Sequence, residues 1–159
     1  MLRRLVPEGY MVESFAYTQA DFAKARQEIL DYIREHGIDL VVGSSLGGFI
    51  ALTLSGIPRI VVNPCWYPGK ELPLIDVPHE IVRTYAPYDH WVQERITEED
   101  RPMVHAFFGD RDELFADRYI AHFLHHYLQE QCHRIPSGHN LSEEGAREIV
   151  GWIDKNPQF

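Results

Sequence analysis

Two hydrophobic periods organise this chain of 159 residues. Phe22, Ala25, Ile29 and Ile33 recur at helical spacing, with Lys24, Gln27, Glu28 and Arg34 mostly elsewhere. That pattern predicts an amphipathic helix capped by Thr18 or Asp21 and reaching about His36. Met11 to Phe15 alternates weakly and predicts a strand. Ile38 to Val42 is a short apolar, β-branched run after Gly37 and reads as a buried strand. Gly48 to Leu54 continues apolar as a helix, with Gly56 as its stop and Pro58 beyond. Ile60-Val61-Val62-Asn63-Pro64 is a second buried strand and Val104 to Gly109 a third. A helix follows from Ala116 to about Leu128, its apolar side supplied by Tyr119, Ile120, Phe123 and Leu124. Cys132 to Ile135 makes the last strand. Ser142 opens a final helix faced by Ala146, Ile149, Val150 and Ile153. Glycine stands three residues after Ser142, so only half of a capping box is present.

Strands alternating with helices imply an α/β fold, a mostly parallel sheet with helices on both faces. The length fits one domain spanning residues 1–159. Residues 64–100 break the rhythm. Pro64, Pro68, Pro73, Pro78 and Pro87 oppose long elements there, and Trp66, Tyr67, Tyr85, Tyr88 and Trp91 are interspersed. Such an insertion after a strand is either a cap or substrate-binding segment, or a loop whose aromatics complete the core.

Composition narrows the function classes. A net charge of −9 with no basic stripe disfavours nucleic acid as a partner. No run approaches membrane-spanning length, and no signal-peptide run follows Arg3-Arg4. Cys65 and Cys132 read as free thiols of a reducing cytoplasm.

The chemistry centres on Gly43-Ser44-Ser45-Leu46-Gly47, a G-x-S-x-G sequence between a predicted strand and a predicted helix. A serine hydroxyl attacks carbonyls poorly unless the backbone presents it to a base, and a sharp strand-to-helix turn does this. The base and its orienting acid are expected on loops after later strands, at the same sheet edge. His139, in Pro136-Ser137-Gly138-His139-Asn140, is the expected base. Asp110-Arg111-Asp112-Glu113 offers the acid. Asp112 is preferred because it lies further out on the loop, whereas Asp110 suits bracing the turn. His122, His125, His126 and His133 lack the companions of a tetrahedral metal site, so no metal is expected.

Val41 to Gly48, then Ile60 to Pro64, then Phe108-Gly109-Asp110-Arg111-Asp112, then Gly138-His139 together resemble the small YqiA-like esterases of the α/β-hydrolase superfamily. The resemblance implies a minimal α/β-hydrolase core, carboxylic-ester hydrolysis, and Ser45, Asp112 and His139 as a catalytic triad. It also favours Asp112, because the family's acid commonly falls three residues after such a glycine. The family normally carries a strand ending in a His-Gly loop that gives one oxyanion-hole donor. Here the chain is expected to start within the helix following that loop, and the one His-Gly pair, His36-Gly37, lies at a helix end. The N–H of Leu46 is the remaining expected donor.

The expected activity is therefore a serine esterase or thioesterase acting on a small acyl ester. Trp66, Tyr67, Tyr88 and Trp91 are candidates to wall the acyl group, and no cofactor is needed. The alternatives are a non-catalytic hydrolase-fold binding module and an acyltransferase using the same three residues. A monomer and a homodimer both fit the sequence.

Overall fold

The computed structural model describes Leu5 and residues 9–14, 16–114 and 116–159. Four parallel strands form one sheet in the order β1 (Val41–Ser44), β2 (Arg59–Val62), β3 (Val104–Gly109), β4 (Cys132–Ile135). Gly43 and Ser44 pair with Val61 and Val62, so β1 runs two residues into the glycine-serine motif. Helix α1 (Phe22–His36) precedes β1 and α2 (Leu46–Leu52) follows it, while α6 (Ala116–His126) joins β3 to the segment before β4. Helix α7 (Glu143–Lys155) closes the described chain. All four positions of β2 are buried, the expected state of a parallel strand covered on both faces.

The two faces separate cleanly by side-chain alternation. Val61, Ala106 and Phe108 join Phe22 and Ala25 of α1, Phe49 and Ile50 of α2, and Tyr119 and Phe123 of α6. Ile60, Val62, Phe107 and Ile135 meet Ile149 of α7 on the other side. This is the expected α/β architecture with helices on both faces.

Caps account for the helix ends. Asp21 accepts from Lys24 N at 3.1 Å and opens α1, while Gly37 closes it in the left-handed region at φ 61°. Ser142 accepts from Gly145 N at 3.0 Å, the half of the capping box that the sequence retains.

Residues 64–100 form short helical pieces: α3 (Pro68–Glu71), α4 (His79–Tyr85) and α5 (Trp91–Arg95), with 3-10 turns at Leu72–Ile75 and Ala86–Tyr88. Proline at the first turn of α3 and in both 3-10 turns sets this fragmentation. The segment is packed on the domain: Val82, Tyr85 and Val92 are buried, and Tyr88 packs on Phe22 with ring centroids 4.3 Å apart and the rings tilted by 41°. Behind it, fully buried Arg59 ion-pairs with Asp100 at 2.6 Å.

One predicted element is absent. Met11–Ser14 forms no strand; Met11 is 90% exposed, so its alternation has no sheet face to bury. Phe15 lies outside the described residues.

Candidate active site

Ser45 sits between β1 and α2 at φ 52°, ψ −119°, a conformation that L-residues rarely adopt. The surroundings hold it there. Its N–H donates to Val62 O at 2.9 Å, and its carbonyl accepts from Phe49 N and Cys65 N, both at 3.1 Å. The turn is so tight that a β-carbon on Gly43 would stand 2.4 Å from Gly47 O, which explains the glycine.

His139 reaches this serine from the loop after β4. Its Nε2 lies 2.9 Å from Ser45 Oγ, and its Nδ1 lies 3.2 Å from Asp112 Oδ2. The Asp112 side chain has no exposed surface and the His139 side chain 13%, so the pair is shielded from competing water. Asp112 Oδ1 also accepts from Leu114 N at 2.8 Å, fixing the carboxylate plane. Asp110 instead points into solvent and pairs with Arg111 at 3.3 Å. The structure therefore brings Ser45, His139 and Asp112 together and leaves Asp110 out.

Three supporting residues escaped the sequence reading. Asn63, fully buried at φ 43°, donates from Nδ2 to Gly138 O and His139 O, both at 3.0 Å, and accepts from Gly109 N at Oδ1 at 2.8 Å. It ties the ends of β2 and β3 to the histidine loop. A β-carbon on Gly109 would stand 2.4 Å from Ser137 O, so that loop closes against bare backbone. Glu113 accepts from His139 N at 3.3 Å; its own and the His139 backbone N–H hold its carboxyl below the usual carboxylate range. Glu71 is 2% exposed and accepts from Trp66 N at 3.1 Å, Tyr67 N at 3.2 Å and Cys65 Sγ at 3.0 Å. Arg118 balances it at 3.3 Å. The signal for Asn63 was a polar residue closing a buried apolar strand. Glu71 carried none, since its partners are set by the turn of α3.

Leu46 is the first residue of α2, so its N–H follows the serine directly. Over the neighbouring Gly47 lies the Tyr17 hydroxyl, 3.5 Å from where a β-carbon would be; burial pushes that phenol's pKa up. The four expected wall aromatics fall into two groups. Trp66 has no exposed surface and packs on Phe123, and half-buried Tyr67 meets His122 edge-on at 5.0 Å. Tyr88 and Trp91 lie against Phe22 of α1, with Arg95 over the Trp91 ring at 3.9 Å. His36 and Gly37 end α1, and His133 stacks on His105. Among the described residues, no three His, Cys, Asp or Glu side chains converge as a metal site.

The chain belongs to the alpha/beta hydrolase family, whose pattern matches residues 9–152. No match was found among curated proteins. Three solved structures share the fold. One is a candidate lipase from Acinetobacter baumannii, at 10% identity and TM-score 0.54, covering 94% of this chain and 70% of its own. Another is a candidate hydrolase from Agrobacterium vitis, at 15% identity and TM-score 0.56, covering 93% and 73%. The third is a Thermus thermophilus protein at 16% identity and TM-score 0.53, covering 84% of this chain and 61% of its own. At these identities the likeness speaks for the fold alone. Among the described residues, no helix is long and apolar enough to cross a membrane.

Proposed function

We propose that this protein is a serine hydrolase of the small YqiA-like esterase type, cleaving small carboxylic esters or thioesters in the cytoplasm. The observation that carries the reading is the linked pair of contacts at His139, 2.9 Å to Ser45 Oγ and 3.2 Å to Asp112 Oδ2. With Nδ1–H donated to Asp112, the imidazole holds the tautomer whose Nε2 accepts. Ser45 Oγ attacks the acyl carbon as His139 takes its proton. His139 then protonates the leaving alcohol or thiol, and Asp112 stabilises the transient imidazolium. The oxygen that gains charge is met by Leu46 N–H. Water enters with His139 again as base and releases the acid.

Tyr67, Tyr88 and Trp91 keep exposed surface and serve as the wall for the acyl group. Trp66 acts from the core, by fixing the loop that follows β2. Residues 64–100 thus combine packing with substrate contact.

A fluorophosphonate probe tests the reading. The expected result is stoichiometric labelling of the folded protein and none of Ser45→Ala. Turnover of a short-chain p-nitrophenyl ester should fall by about 10⁴-fold or more in Ser45→Ala and His139→Ala. Labelling that survives Ser45→Ala, or equal turnover in both variants and the parent, rejects it.

A further inference from the structure

The N–H of Leu46 is one donor to the oxygen that gains charge, and sites of this kind generally use a second. In hydrolases of this fold that second donor is a backbone N–H from the loop of another strand. Here β1 is the outer strand of the sheet, and among the described residues no strand lies beyond it. A second donor has to come from a different element, and the chain just before α1 offers one.

A β-carbon on Gly47 would stand 3.5 Å from the Tyr17 hydroxyl oxygen, and among the described residues outside that turn no other group comes within 4 Å of the position. The Cα–Cβ bonds of a helix tilt toward its N-terminus. The hydroxyl therefore lies forward of Gly47, beside the opening of α2 where the Leu46 N–H emerges. Ser45, Gly47 and Tyr17 all keep exposed surface, so a substrate oxygen can reach this corner.

The backbone around Tyr17 is tied down on both sides. The next residue, Thr18, donates from its N–H and Oγ1 to the Glu28 carboxylate at 2.6 and 2.9 Å, and its carbonyl accepts from Asp21 N at 3.1 Å. The Tyr17 carbonyl accepts from Gln19 N at 2.8 Å, and the Gln19 carbonyl accepts from the Tyr85 hydroxyl at 2.6 Å. The Tyr17 ring packs against the core cluster that holds Phe22 and Phe49. The hydroxyl is thus oriented by folding, before any substrate arrives, which is what makes such a donor effective. Burial pushes the phenol's pKa up, so the proton is present at ordinary pH. Its O–H turns about the C–O bond and can follow a developing charge.

We propose that the Tyr17 hydroxyl is the second oxyanion donor, acting beside Leu46 N–H. The proposal rests on the serine-hydrolase reading. As the bond from Ser45 Oγ to the acyl carbon forms, the carbonyl π pair moves onto oxygen, which accepts from Leu46 N–H and Tyr17 O–H. Tyr17 keeps its proton throughout. When the leaving group departs with the proton held by His139, the pair returns and the carbonyl reforms.

Tyr17→Phe removes the oxygen and keeps the ring. With p-nitrophenyl acetate its kcat should fall by about 10²-fold, with KM little changed. With p-nitrophenyl thionoacetate the charge develops on sulfur, a weak acceptor, so the loss should be less than about threefold. A misplaced serine or histidine would slow both esters alike. A fluorinated tyrosine at position 17 keeps the shape and ionises at lower pH, so it should bring in a loss of activity above its own pKa. Equal losses on the two esters, turnover of Tyr17→Phe equal to that of an active parent, or a pH profile unmoved by the fluorinated residue each overturns the proposal and leaves the hydrolase reading standing. A parent that takes no fluorophosphonate at Ser45 and turns over no ester overturns that reading, and this proposal with it.

Discussion

Asn63 holds His139 by its backbone: the Asn63 amide donates to the His139 carbonyl at 3.0 Å, across a sequence separation of 76 residues. The same amide group also secures Gly138 and Gly109. The imidazole is therefore aimed from behind, through the backbone of its own loop. Asn63→Ala should lower kcat by about 10²-fold with little change in KM, because small misplacements of the base weaken proton transfer more than binding. Stability should fall by about 1–3 kcal/mol from the carbonyls and N–H left unpaired. Steady-state kinetics beside urea unfolding checks both, and an unchanged kcat would show that the loop orients itself.

The strained serine makes a separable forecast. Replacing Ser45 with alanine or glycine should abolish turnover equally, since both lack the hydroxyl. Stability should separate them. Alanine keeps a β-carbon at φ 52°, whereas glycine tolerates that region. The relieved strain is about 1–3 kcal/mol, and the extra freedom of unfolded glycine returns about 0.5–1 kcal/mol. Ser45→Gly should therefore be more stable than Ser45→Ala by about 1 kcal/mol. Equal denaturant midpoints would mean that the relieved strain is no larger than what the freedom of unfolded glycine returns, about 0.5–1 kcal/mol.

His105 and His133 supply a pH dependence of the fold. Their rings stack on β3 and β4, with His105 Nδ1 2.9 Å from His133 Nε2 and Trp152 of α7 against both. Burial, reinforced by His133, pushes the His105 pKa down from 6.5 to about 4, partly opposed by Glu130; burial lowers that of His133 too. Between those two values the unfolded chain binds more protons than the folded one, so stability falls as pH falls through that window. The loss from His105 is about 1–3 kcal/mol. Urea unfolding at about pH 7 and about pH 4.5 should show it, and His105→Gln should reduce the difference. A difference unaltered by His105→Gln would place the proton uptake elsewhere.

Much of this organisation was legible before any coordinates. Strands β3 and β4 match their expected ranges to the residue: β3 is an apolar run buried at all positions but His105, whereas β4 buries Ile135 alone and takes its bounds from the turn at Gln129–Gln131 and from Pro136. The start of β1 and the end of α6 drifted, since sheet register decides the former and Tyr127 and Leu128 leave the helix despite their apolar character. The proximity of Ser45, Asp112 and His139 followed from parallel strands bringing their C-terminal ends to one edge. What stayed hidden was support by long-range polar contact. Arg59 stands just outside the expected run Ile60–Pro64, yet it opens β2 and is buried against Asp100, 41 positions away. Likewise the alternation at Met11–Ser14 is real in sequence but lacks a neighbouring strand to give it a face.

The Glu71 carboxylate has one more effect, on the thiol of Cys65. That cysteine is bonded through its backbone to the Ser45 carbonyl, so it lies beside the strained serine turn. Burial and the Glu71 charge push its pKa far above the usual thiol range, which leaves almost no thiolate to be alkylated or oxidised. Iodoacetamide and peroxide should thus spare it in the folded protein. Reaction at this thiol would report loosening of this corner, and the alkylation rate at position 65 becomes a gauge of how often it opens.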